Sequence, residues 1–185
     1  MGRWRRWVWR RRRIRLMVKL SRWLKHAFMP PWSWRLSFPA DVLNNIEKAV
    51  RQSESQHSGE LRFAIENSLA SGWVWRGMTA RHRATEVFSN LHVWDTEENS
   101  GVLIYIQLAD REVHILADRG INKCVGQSEW DRIAQIMQNK FGQGDFQQGS
   151  LQGIEEITRL LKTYFPASSD NTNELSNRPV IIGHL

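Results

Sequence analysis

The apolar positions of residues 38–166 switch between a period near 3.6 and a period of 2, and each switch falls at a Gly, Pro, Asn or Ser cluster. Behind Pro39, a residue that a first helical turn tolerates, Val42, Leu43, Ile46, Ala49 and Val50 mark one face of a helix running to about residue 56. His57, Ser58 and Gly59 end it. Leu61, Phe63 and Ile65 then alternate with Arg62 and Glu66, which predicts a strand over residues 60–67. Helical spacing returns at Ala84, Val87, Phe88 and Leu91, followed by a polar loop over residues 95–101. The nearly unbroken apolar run from Val102 to Leu108 predicts a central strand covered on both faces. A tight turn at Asp110 and Arg111 leads into a further strand over residues 112–118, closing a β-hairpin. Two helices finish the pattern. Ser128 with Asp131 resembles a capping box ahead of Trp130, Ile133, Ala134, Met137 and Phe141, and Leu151, Ile154, Ile157, Leu161 and Phe165 form the second stripe, stopped by Pro166.

The order helix, strand, helix, strand, strand, helix, helix predicts an α/β sandwich of two or three layers around a small mixed sheet with at least three strands. Between Gly72 and Gly77, Trp73, Val74 and Trp75 form an apolar patch in a loop-like setting, for which core filling is the default and a lid, crossover or membrane contact the alternatives. Residues 167–185 read as a polar tail, loose at least to residue 178.

Residues 1–37 follow a different rule. From Ile14 to Phe28, the apolar residues Ile14, Met17, Val18, Leu20, Leu24, Ala27 and Phe28 keep helical spacing, with Arg15, Lys19, Arg22 and Lys25 mostly between them, and Pro30 and Pro31 end the run. This is a basic amphipathic helical arm, whose stripe either lies in a membrane interface or docks on the domain. Charge sharpens the contrast. The chain carries a formal charge of +7, yet residues 1–35 hold twelve Arg or Lys and no Asp or Glu, which leaves 14 basic and 19 acidic residues for 36–185.

Six of the ten tryptophans also fall in the arm. Indoles seek the headgroup layer and cations seek anionic lipid, so the expected membrane-binding residues are Trp4, Trp7, Trp9, Arg10, Arg11, Arg12, Arg13, Lys19, Trp23, Lys25, Phe28, Trp32 and Trp34. Single-stranded nucleic acid is bound by the same mixture, through stacking on rings and guanidinium groups on phosphates, and stands as the alternative partner. Charges recur at Arg15, Lys19, Arg22 and Lys25, so no apolar run of the length a secretory signal needs is expected. The expected location is cytoplasmic, peripheral to the inner membrane. Cys124 is the single cysteine, read as a small buried residue, and rules out an intramolecular disulfide.

Candidate chemistry is sparse. Asp95, Glu97 and Asn99 form the densest run of oxygen donors, the kind that calcium or magnesium wants, and Asp110 and Asp118 lie near strand ends. The six histidines are dispersed without zinc spacing, and neither a phosphate-binding glycine loop nor a nucleophile elbow occurs. No nucleophile, base and orienter can be named, so the catalytic residues are unknown.

The helix followed by SGELRFAIE at 58–66, the Asn99–Gly101 turn leading into VLIYIQLADREVHILADRGI at 102–121, and FGQGDFQQG at 141–149 together resemble the TPM domain family. The resemblance covers about residues 41–165 and implies an α/β/α sandwich. It also implies functions seen among relatives: divalent-metal binding, phosphatase activity, or assembly of membrane complexes through a protein partner. Asn99, Gly101, Asp110 and Gly120 match the family pattern. Asn122, two residues after Gly120, stands where the family commonly has an acid, and no Asp occurs in residues 125–127. The departure weighs against metal-dependent phosphatase chemistry and for a non-enzymatic role at the membrane.

Overall fold

The computed structural model describes residues 17, 19–167 and 173–183. The arm enters as a helix, α1, through residues 19–28. It is followed by α2 (Trp34–Ser37), α3 (Ala40–Glu54), β1 (Glu60–Glu66), α4 (Ser71–Trp75), α5 (Ala80–Asn90), β2 (Gly101–Gln107), β3 (Glu112–Ala117), α6 (Arg119–Asn122), α7 (Gln127–Gly142), α8 (Phe146–Tyr164) and β4 (Val180–Ile182). The sheet runs β3-β2-β1-β4, with β1 parallel to both β2 and β4, and β3 antiparallel to β2.

Strand alternation decides which helices cover which face. Leu61, Phe63 and Ile65 of β1, Val102, Ile104 and Ile106 of β2, and Val113 and Ile115 of β3 point to the larger core, shared with α3, α7 and α8. Ala64, Leu103 and Tyr105 point the other way, onto Ala80, Ala84 and Val87 of α5. The result is the α/β/α sandwich, and β2 is buried at every position, as its unbroken apolar run required. Phe38 is fully buried in the larger core, and its ring meets Phe63, Phe141 and Phe146 edge-on at centroid distances of 6.3, 6.0 and 5.3 Å.

Four expectations change. Residues 180–182, inside the stretch read as a polar tail, add a fourth strand, because β1 leaves an open edge that three extended residues can pair with. The Trp73–Trp75 patch is a short helix, in which Val74 is buried and Trp75 remains 62% exposed. Gly126 rather than Ser128 is the N-cap of α7, with no side-chain cap. Cys124 is exposed, since it lies beyond the single turn of α6 and Ile121 and Val125 take the inward positions.

Candidate functional site: a polar latch and an outward apolar face

The residues expected to hold a metal divide between the two ends of β2. Asp95 and Glu97 are exposed. Asn99 sits in the left-handed region at φ 53°, and its N–H donates to the Thr96 carbonyl at 3.1 Å. Thr96 Oγ1 accepts from the Ser100 N–H at 2.9 Å, and Glu98 Oε2 accepts from Ser58 Oγ at 2.5 Å. Asp118 lies at the same end, its Oδ1 capping α6 through the Arg119 N–H at 2.7 Å. Gly120 donates to the Asn99 carbonyl, and a Cβ there would stand 2.6 Å from that oxygen. Asn122 donates its amide to the Ala117 carbonyl at 2.6 Å.

Asp110 follows the opposite end of β2, roughly 20 Å away for a seven-residue strand. Among the described residues, no three His, Cys, Asp or Glu side chains gather to hold a metal ion. Among the described residues, Asp118 Oδ2, buried and without a hydrogen-bond partner, is the feature that most invites a cation. One inward carboxylate oxygen falls far short of the roughly six to eight oxygens that calcium collects, so this donor set does not fit calcium or magnesium.

Asp110 serves a different purpose. Arg22 of α1 donates from Nε to Oδ1 at 2.8 Å and from Nη2 to Oδ2 at 2.7 Å, while Nη1 donates to the Met78 carbonyl at 2.7 Å. His26 Nδ1 accepts from the Leu69 N–H at 2.9 Å, which leaves the ring proton on Nε2, donated to Asp110 Oδ1 at 3.0 Å. Burial alone would raise the Asp110 carboxyl, but the hydrogen bonds from His26 and Arg22 and the charge of the Arg22 guanidinium outweigh it and hold the group well below the usual carboxylate range. Asn67 extends the seam, donating to the Pro30 carbonyl and accepting from Ser33 Oγ, each at 2.8 Å. The arm thus closes over the carboxyl ends of β1 and β2.

This latch fixes which way α1 faces. Arg22 and His26, one turn apart, point at the domain. Met17, Leu20, Leu24 and Phe28 lie on the other side, 67%, 49%, 41% and 77% exposed. Trp32 and Leu36 add further exposed apolar surface, and Lys19 and Lys25 are exposed as well. Of the tryptophans expected to touch a membrane, Trp23 is half-buried, and Trp34, also half-buried, packs against the larger core under the Arg35 guanidinium, 5.1 Å from its ring centroid. Trp4, Trp7, Trp9 and Arg10 to Arg13 lie outside the described residues. Sequence reasoning missed the part played by Arg22 and His26; their i, i+4 spacing was the available signal, hidden among eleven other cations.

Residues 37–160 match the TPM domain. The chain belongs to the TPM domain family. A solution structure of the BA42 protein from the psychrophilic bacterium Bizionia argentinensis is 34% identical, with a TM-score of 0.69 over 78% of this chain and 95% of that one. The N-terminal domain of a P. gingivalis protein, 16% identical, shares the fold with a TM-score of 0.57 over 74% of this chain and 90% of its own. No curated protein matches the chain. The TPM domain so bounded contains Asp110, Met78 and Leu69 but neither Arg22 nor His26. The latch therefore joins the family domain to a segment outside it.

Proposed function

We propose that this TPM domain is a non-enzymatic interaction or assembly module held at an anionic membrane surface by its arm. One observation carries the reading: α1 spends its polar face on the domain and leaves its apolar face to the outside. Apolar side chains of this size gain about 1.5–3 kcal/mol each on full burial. The exposed fractions of Met17, Leu20, Leu24 and Phe28 leave on the order of half of that available to a bilayer interface. Lys19 and Lys25 flank the stripe, and each cation near an anionic surface adds about 1 kcal/mol. The cytoplasmic leaflet of the inner membrane is the surface taken here, since anionic lipid supplies its charge.

The test is co-sedimentation of the full chain with vesicles of phosphatidylglycerol and phosphatidylethanolamine, beside vesicles of phosphatidylcholine alone. Binding to the anionic set is expected, lost at least tenfold in Leu24→Glu/Phe28→Glu, at positions 41% and 77% exposed. Equal sedimentation of that variant, or binding of single-stranded nucleic acid with none to vesicles, refutes the reading.

A further inference from the structure

Between α1 and α4 the surface opens a groove of about 350 Å³ lined by Met17, Lys19, Leu20 and Trp75. Its two walls come from parts of the chain far apart in sequence, yet they are fastened to each other. Arg22, two residues after Leu20, donates to the carbonyl of Met78, three residues after Trp75. The Met78 N–H returns to the Trp73 carbonyl at 2.9 Å. On α4, Val74 is buried and the Trp73 ring lies under the Arg83 guanidinium at 4.8 Å, so the short helix is anchored on two sides and Trp75 is turned outward. The groove is a slot between two secured elements.

Its lining specifies an occupant. Among the described residues of the lining, three are large and apolar and the fourth is a cation, with no acid among them. An apolar slot with an ammonium on its wall is complementary to a hydrocarbon chain that ends near a negative charge. We propose that this groove takes one acyl chain of an anionic phospholipid, with the phosphate at Lys19. The inference rests on the membrane reading and adds to it a single-lipid site where the outward face of α1 borders Trp75 of α4. The domain then contributes Trp75 directly to lipid contact, and attachment is by a bound lipid as well as by an adsorbed helix.

Dihexanoyl phosphatidylglycerol, used below its micelle-forming concentration, separates the two ideas. Titration of the full chain by calorimetry should give saturable binding, weakened at least tenfold in Trp75→Ala and in Lys19→Glu; Trp75 is exposed, so its variant keeps the fold, which circular dichroism checks. Wild-type chain that sediments with anionic vesicles but does not bind the monomeric lipid overturns the groove and leaves the membrane reading standing. Chain that does neither overturns both. Unchanged binding by Trp75→Ala overturns the groove, and so does equal binding of hexanoate, which would assign the slot to a free fatty carboxylate.

Discussion

Glu54 gives the most quantitative prediction, because it is a carboxyl group buried by the tail. At the end of α3, its Oε1 accepts from the Leu61 N–H at 3.0 Å and its Oε2 from Asn177 Nδ2 at 2.5 Å. Burial, aided by nearby Glu60 and opposed by the Leu61 N–H and the charges of Arg62 and Arg51, pushes its pKa from 4.5 up to about 8. A raised carboxyl favours the folded state fully below 4.5, and that advantage drains away as pH climbs to about 8. His57 works in the opposite sense. Burial lowers it from 6.5 to about 4, so its contribution is complete above 6.5 and is lost as pH falls to about 4.

The slopes of this pair cancel between 4.5 and 6.5, and above 6.5 Glu54 is the one of the two that still acts. At about 1.4 kcal/mol per pH unit, the 1.5 units up to pH 8 cost about 2 kcal/mol. With an m-value on the order of 2 kcal/mol per molar urea, the unfolding midpoint should drop by about 1 M between pH 6.5 and 8. Glu54→Gln, which keeps an oxygen for Leu61 and cannot ionise, should flatten that decline. A wild-type midpoint that is level or rising over this range would refute the argument, as would a decline that persists in Glu54→Gln.

Two further substitutions probe the latch and the sheet. Asp110→Asn leaves the Arg22 guanidinium without its carboxylate; with that side chain 27% exposed, the loss should be about 1–2 kcal/mol, and trypsin should cut the arm faster while the domain resists. An unchanged cleavage rate would mean that Asp110 does not hold the arm. Gly101→Ala places a Cβ 1.8 Å from the Val93 carbonyl oxygen and should cost about 1–3 kcal/mol in urea unfolding, whereas Gly142→Ala, with open space around it, should change little.

Much of the sandwich was legible because β1, β2 and β3 each announce themselves locally. Leu61, Phe63 and Ile65 alternate on one face, and the run after Gly101 has no polar residue until Gln107. β4 was illegible for the converse reason: three apolar residues in a polar stretch are a strand only because Ala64 to Glu66 offer an unpaired edge. The same docking explains why Glu54 and Glu60 could not be read as buried. Their carboxylates are covered by the tail, Asn177 reaching Glu54, and the Glu174 and Leu175 N–H groups reaching Glu60. The acidic loop misled in another way. Residue type suggested convergent oxygens, but Thr96, Glu98 and Ser100 are committed to closing the turn and tying it to Ser58.

The arm is where local pattern and tertiary choice diverge most. Its apolar stripe was plain in the sequence, and two partners competed for it, the domain's own surface and a surface elsewhere. Docking the stripe on the domain would have satisfied the hydrophobic effect within one molecule. The chain instead buries His26 and much of Arg22 against Asp110, an arrangement that spends desolvation on charged groups and returns it only through close geometry: a two-toothed guanidinium contact, an imidazole bridge and a backbone carbonyl. Such a contact is specific in angle where an apolar contact is not, because each donor must meet its own acceptor. It holds α1 in one rotation about its axis, and in that rotation Leu20, Leu24 and Phe28 remain 49%, 41% and 77% exposed.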